Sequence, residues 1–182
     1  YTNSGGNNPP ASSADSRLAS DFQYLARQDF IASRGIYHYS NYRYSRYDAG
    51  YHGSSWTGLM PELLKAENDM YKAEAQLRLG DLAGAAATIN AGTRTNRGGL
   101  GNVAVDAASI ADAIHYERTI ETMNTGMGLA FFEMRGRDDL QAGTPLHFPV
   151  PGEVLLSGGF DIYTFGGSTG TAGEDFSISG WR

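Results

Sequence analysis

Glu117 and Glu121 stand four residues apart in the string HYERTIETMN, so on a helix they share one face, a turn apart. Two neighbouring carboxylates are the equipment of glycoside hydrolysis, one as acid and the other as nucleophile or base. Acid and nucleophile must flank the scissile bond, however, and neighbours on one helix rarely reach its opposite sides. The competing chemistry is ionic: an arginine fork clamps a carboxylate with two parallel hydrogen bonds. The expectation is a buried or half-buried charge network around Glu117 and Glu121 that holds helices together and catalyses nothing.

Other chemistry-bearing residues are scattered. His38, His52, His115 and His147 show neither an HExxH pattern nor a short two-histidine spacing, so no zinc site is expected. Glu133, Asp138 and Asp139 lack the twelve-residue calcium loop and read as an acidic loop. No G-x-S-x-G elbow occurs. The run Gly98-Gly99-Leu100-Gly101 follows no strand and precedes no Lys-Ser/Thr, which argues against a phosphate loop. With no cysteine in the chain, thiolate chemistry and disulfides are excluded. The reading therefore implies no metal, no cofactor and no enzyme.

Tyrosine is the exception to this scarcity. The segment GIYHYSNYRYSRYDAGYHG carries Tyr37, Tyr39, Tyr42, Tyr44, Tyr47 and Tyr51, partly at the period of two expected of a half-buried strand. Flat amphipathic rings can cover the C–H faces of sugars while their hydroxyls bond. On that reading Tyr42, Tyr44, Tyr47 and Tyr51 contact a ligand. On the other, the same rings simply pack against the helices.

The elements that position these residues are helical. Leu63, Ala66, Met70, Ala73 and Leu77 form an i, i+3, i+4, i+7 stripe, with Pro61 at a first-turn position and Glu62 beside it. Gly80 is placed to cap this helix and Asp81 to start the next, whose facing stripe is Ala85, Ala86, Ile89 and Thr93. The result is two antiparallel helices of the tetratricopeptide-like type. Asp106 begins a third helix, with Ile110, Ala113, Ile114, Glu117, Ile120 and Glu121 at helical spacing and the acids at the edge of the packed face. It should run to about Asn124, and Thr125-Gly126-Met127-Gly128 breaks it before a short helix over Leu129–Met134. Between Asp15 and Arg27 a short helix or a strand is expected.

The organisation that follows is mainly α. A flexible arm (1–14) precedes a helical domain (15–156) with long irregular loops. Pro145 to Pro151 is extended by its three prolines, and a Gly/Ser/Thr-rich tail (157–182) follows. At 182 residues and 41% hydrophobic, the chain can bury a real core. Fourteen basic against twenty acidic residues give a net charge of −6, which repels nucleic-acid backbones. A start at Tyr1 leads to the expectation of a processed or truncated product.

Taken in order, AENDMYKAEAQLRLGDLAGAAATINAGTRTNRGGL, HYERTIETMNTGMGLAFFEMR and GTPLHFPVPGEVL resemble the C-terminal part of the SusD/RagB family of outer-membrane nutrient-binding proteins. The resemblance covers about Asp15 to Leu155, and the Tyr163-Thr164-Phe165-Gly166-Gly167 segment also looks familial. Glu67, Glu74, Arg94, Glu117, Arg118, Glu121 and Arg135 match the charged positions of the family pattern. The resemblance implies a non-enzymatic, cell-surface protein that binds a glycan or peptide and works with a TonB-dependent transporter. Family members are much longer, so the chain reads as a fragment or a shortened paralogue. A shortened helical repeat exposes an apolar face, which raises a second expectation: an extracellular subunit that self-assembles into a homo-oligomer, filament or tube.

Overall fold

A computed structural model describes residues 9–26, 41–52, 57–125, 129–137, 139–140 and 150–161. Tyr37, His38, Tyr39, Asp138, His147, the first eight residues of the arm and the tail beyond residue 161 lie outside them. Seven α-helices and one two-stranded sheet make the described residues mainly helical. The chain divides into two compact units, 1–126 and 127–182. Asn124, at φ 60°, turns the backbone out of the helical path just before that division.

In the first unit, the segment after the arm is both of its expected alternatives in succession. Helix α1 (Arg17–Asp21) runs directly into strand β1 (Phe22–Tyr24). Strand β2 (Tyr42–Tyr44) pairs antiparallel with it, in the register Phe22 to Tyr44, Gln23 to Arg43 and Tyr24 to Tyr42. A single π-helical turn over Asp48–His52 follows.

The long helix α2 (Lys65–Arg78) starts later than its proline suggests. Leu64 is still extended at φ −99°, ψ 146°, so Pro61 and Glu62 precede the helix rather than fill its first turn. Leu63 accordingly drops out of the apolar stripe and is exposed, while Ala66, Met70 and Ala73 are buried. Gly80 takes φ 80°, a left-handed conformation in which glycine has no Cβ to clash. Its N–H bonds to Leu77 O at 3.0 Å and that of Asp81 to Gln76 O at 2.9 Å, closing the helix end. Asp81 then caps α3 (Leu82–Asn90), its carboxylate accepting from Gly84 N at 2.9 Å.

Helix α3 runs back along α2. A Cβ placed on Gly84 would fall beside Gln76, near the end of α2, and one on Gly92 within 4.0 Å of Asp69, near its start. Thr88 donates to Gln76 at 2.7 Å between them. The second helix ends at Asn90, and Thr93 instead opens the one-turn α4 (Thr93–Asn96), because the chain is extended at Gly92. Asp106 caps α5 (Ala107–Glu121) by accepting from Ser109 N at 2.8 Å. Met70, Ala73, Ala85, Ala86, Ile89, Val103, Ile110, Ala113 and Ile114 form one core cluster joining α2, α3 and α5. Each buried isoleucine contributes about 1.5–3 kcal/mol, and the alanines let the helices approach closely.

Gly98 shows why the glycine-rich stretch is there. A Cβ on it would sit 2.6 Å from the Arg94 carbonyl oxygen and 3.0 Å from Arg17 Nη2. Its own carbonyl accepts from Ser16 N at 2.9 Å, so the loop cannot step away without releasing α1. Gly98→Ala is expected to cost about 1–3 kcal/mol as overpacking, read from the urea midpoint of unfolding at unchanged slope.

The second unit contains α6 (Leu129–Gly136) and α7 (Gly152–Ser157) among its described residues. Phe131 and Phe132 meet edge to face at 5.3 Å. Helix α7 occupies a place where no helix was expected from sequence. Pro151 itself is extended at ψ 137°, but its carbonyl accepts from Val154 N and Leu155 N at 3.0 and 3.2 Å and so begins the helix.

Candidate functional site

Among the described residues of the first unit, a dense cluster of polar side chains converges on Arg17. Asp15, just before α1, turns its carboxylate back to accept from Arg17 N at 2.9 Å. The same carboxylate takes Arg17 Nε at 2.9 Å and Nη2 at 2.7 Å. The far side of the guanidinium meets α5. Nη1 donates to Glu117 Oε2 at 2.6 Å and to Glu121 Oε1 at 2.9 Å, and Nη2 donates to Glu117 Oε1 at 3.0 Å. The five N–H donors of the fork thus serve three carboxylates.

Other arginines complete the set. Arg97, just past α4, bridges Glu121 Oε1 at 2.6 Å and Asp21 at 2.7 and 2.9 Å. Arg46, after β2, reaches Glu121 Oε2 at 3.0 Å and the Glu121 carbonyl at 3.3 Å. Arg94 lies at the edge, 3.8 Å from Glu117, while Thr93 donates to Glu117 at 3.2 Å. Tyr116 donates to Asp15 at 2.8 Å. Four arginines (17, 46, 94, 97) therefore face four carboxylates (15, 21, 117, 121), so the cluster is neutral. It ties α1, the segment after β2, α4 and α5 together.

Burial decides what this arrangement can do. Arg17, Glu117 and Glu121 are 1%, 0% and 1% exposed, so the acids lie within the packed face rather than at its edge. A catalytic acid must meet substrate and exchange a proton, but here both glutamates are shielded from solvent and saturated by arginines. Burial works against the Arg17 charge, yet its bonds to Glu117, Asp15 and Glu121 hold its pKa above the ordinary guanidinium range. Burial likewise pushes the Asp15 carboxyl upward, but hydrogen bonds from Arg17 and Tyr116 outweigh it and lower the pKa to about 2.

The sign follows from that depression. Asp15 adds stability above its unfolded pKa, near 3.8, and the contribution fades as pH falls toward about 2. Its size is on the order of 2 kcal/mol. Stability measured by urea unfolding should fall more gently between pH 4 and 2 in Asp15→Asn than in the parent chain. Parallel curves would remove Asp15 from the acid response.

No family model, curated protein or solved structure matches the chain.

Of the charged residues expected in one network, the structure brings Glu117, Glu121 and, at the edge, Arg94 into this cluster. Glu74 and Arg118 form a second bridge at 2.5 Å, where Arg118 also donates to Met70 O at 3.3 Å and stacks over Tyr71 at 4.8 Å. Glu67 is buried on α2, with its Oε2 lacking a hydrogen-bond partner. Arg135, on α6 in the second unit, is exposed. The network expected as one is therefore divided, because α2 and the α1–α4 segment meet α5 through different residues. Asp15, Arg17, Asp21, Arg46 and Arg97 were missed in the sequence, since the partners sit up to 104 residues apart. The only local signal is Asp15-x-Arg17 at the mouth of α1.

Among the described residues, the tyrosines of the sheet meet other aromatic rings edge to face. Tyr42 meets Tyr24 edge to face at 5.4 Å, Tyr44 meets Phe22 at 5.3 Å, and Tyr44 meets Tyr47 at 5.8 Å. All of these rings are half-buried. The Tyr42 hydroxyl accepts from Ala11 N at 2.7 Å, which fastens the arm to the sheet. The hydroxyls of Tyr44 and Tyr47 are buried without a hydrogen-bond partner. Burial raises the Tyr44 phenol to about 12, with Arg46 opposing the shift. Tyr51 lies in the π-helical turn. Among the described residues no group of three or more His, Asp or Glu side chains is placed to hold a metal ion.

Proposed function

We propose that this chain is a non-enzymatic binding protein of the SusD type, exposed on the cell surface at the outer membrane. It would present an oligosaccharide or peptide to a TonB-dependent transporter. The observation that carries the non-enzymatic part is the full occupation of Glu117 and Glu121 by Arg17, Arg46 and Arg97 in a solvent-shielded cluster. The α2–α3 hairpin, with Ala73, Ala85 and Ala86 buried where α5 joins it, supports a tetratricopeptide-like helix pair. No described helix is long and apolar enough to cross a membrane.

Ligand contact falls on the Tyr42–Tyr51 segment, through the half-exposed rings of Tyr42, Tyr44 and Tyr47 rather than the hydroxyls of Tyr44 and Tyr47. Calorimetry against a broad panel of polysaccharides and peptides tests this. Binding should weaken when Tyr42, Tyr44 and Tyr47 are changed to Ala in a chain whose circular dichroism shows it still folded. Binding that survives all three substitutions moves the ligand elsewhere, and silence across the panel removes the reading.

One observation favours the second reading, self-assembly into a homo-oligomer or filament. Val154, Leu156 and Phe160, on and just after α7, are all more than half exposed. Light scattering that finds only monomer at high concentration removes it.

A further inference from the structure

The first unit carries an open depression of about 420 Å³, whose lining includes Arg94, Asn102, Ser109, Asp112, Ala113 and Tyr116. That volume is near the lower end of the roughly 300–1,000 Å³ found for small-molecule sites. Ser109, Asp112 and Tyr116 lie on one face of α5 at i, i+3 and i+7, while Arg94 reaches in from α4.

Three features give this depression a chemistry. The first is unspent hydrogen-bonding capacity. Arg94 commits Nε to Gly101 O at 2.8 Å, but its Nη1 meets Glu117 only at 3.8 Å, beyond hydrogen-bond reach. Its terminal N–H groups are left to donate. The second is a fixed aromatic face. Tyr116 is 40% exposed, its hydroxyl is anchored on Asp15 at 2.8 Å, and Arg17 sits 5.8 Å from its ring centre. A ring held in this way is a preorganised platform that loses little entropy on binding.

The third is charge. The Arg94 cation is already balanced within the neutral cluster of four arginines and four carboxylates, so it offers donors without an uncompensated positive field. Asp112, exposed on α5, adds a carboxylate at the wall. Acidic ligands are therefore disfavoured. A ligand that both donates and accepts while carrying no charge, and has a flat C–H face, suits the whole lining.

We propose that this depression is a subsite for one neutral sugar residue, stacked on Tyr116 and hydrogen-bonded by Arg94, Asn102 and Asp112. It is separate from the tyrosine-rich sheet and does not depend on that sheet binding anything. Titration of the isotopically labelled full chain with glucose, galactose, mannose and xylose, followed by backbone amide NMR, tests it. Glucuronate and dialanine serve as the acidic and peptidic probes. At least one neutral sugar should shift the amides of 102–104 and 109–116 in a saturable way. Asp112→Ala, at an exposed position, should weaken that binding about tenfold, the loss of one hydrogen bond to a charged acceptor. The proposal is overturned if no neutral sugar moves these amides, if glucuronate or dialanine moves them more, or if Asp112→Ala leaves the affinity unchanged. Shifts that persist when Tyr42, Tyr44 and Tyr47 are replaced uphold this subsite even where the sheet proves inert.

Discussion

Arg17→Ala should destabilise the first unit by about 3–5 kcal/mol, the cost of leaving buried charges without their partner. Removing the guanidinium strips Asp15 of its main ligand and takes one of the arginines from both Glu117 and Glu121. Water cannot replace it, because Glu117 and Glu121 are buried. The size of the effect reflects that asymmetry rather than a large net gain from the intact cluster, since exchanging a whole buried ion set for apolar residues is often neutral. Arg17→Lys should recover only part of the loss, as a point charge with three donors cannot reproduce a fork serving three carboxylates. Urea unfolding of the parent and both variants checks the ordering. Equal stability of Arg17→Ala and parent would show that the cluster does not hold α1 to α5.

Glu121→Gln carries the second large effect, again about 3–5 kcal/mol by the same reasoning. This carboxylate is the common partner of Arg17, Arg46 and Arg97, which come from three separate segments of the chain. A neutral amide keeps the shape but offers one oxygen acceptor where two were in use. Its NH2 group would also point donors at guanidinium donors. Three cations would then share one fewer negative charge. The loss should shrink in the double variant Glu121→Gln/Arg46→Gln, because Arg46 is the cation bound to Oε2 and its removal restores balance. A double-mutant cycle reads that coupling directly. Strict additivity of the two changes would contradict it.

The parts of the fold legible in the sequence are those encoded within one turn or one helix. Gly80-Asp81 is such a signal, because a left-handed cap and an N-cap are local chemistry, and both are present. Asp106 is another. The Ile110, Ala113, Ile114 stripe marks the core face of α5 for the same reason. Helix ends were less legible where the backbone turns extended inside the apolar pattern, at Leu64 and Gly92. Leu63 fits the periodicity of α2, yet the helix begins at Lys65, and Thr93 fits that of α3 yet belongs to α4.

The site was legible by half. Glu117 and Glu121 stand out because they repeat at a helical interval, but Arg17, Arg46 and Arg97 carry no pattern that points to them. An ion pair between distant segments leaves no periodic trace. The long-range partners of Arg17 lie 100 and 104 residues away. Gly98 was visible only as part of a glycine run, and its actual constraint, the closeness of Arg17 and the Arg94 carbonyl, exists only in three dimensions.

The central claim is that the paired glutamates of α5 hold shape and carry out no chemistry. It is tested most directly by measuring polysaccharide hydrolysis and urea stability side by side for the parent chain and Glu117→Gln. The account predicts no hydrolysis by either protein and a stability loss of about 3 kcal/mol in the variant. A parent chain that cleaves a polymer, with a rate abolished in an equally stable Glu117→Gln, would contradict it.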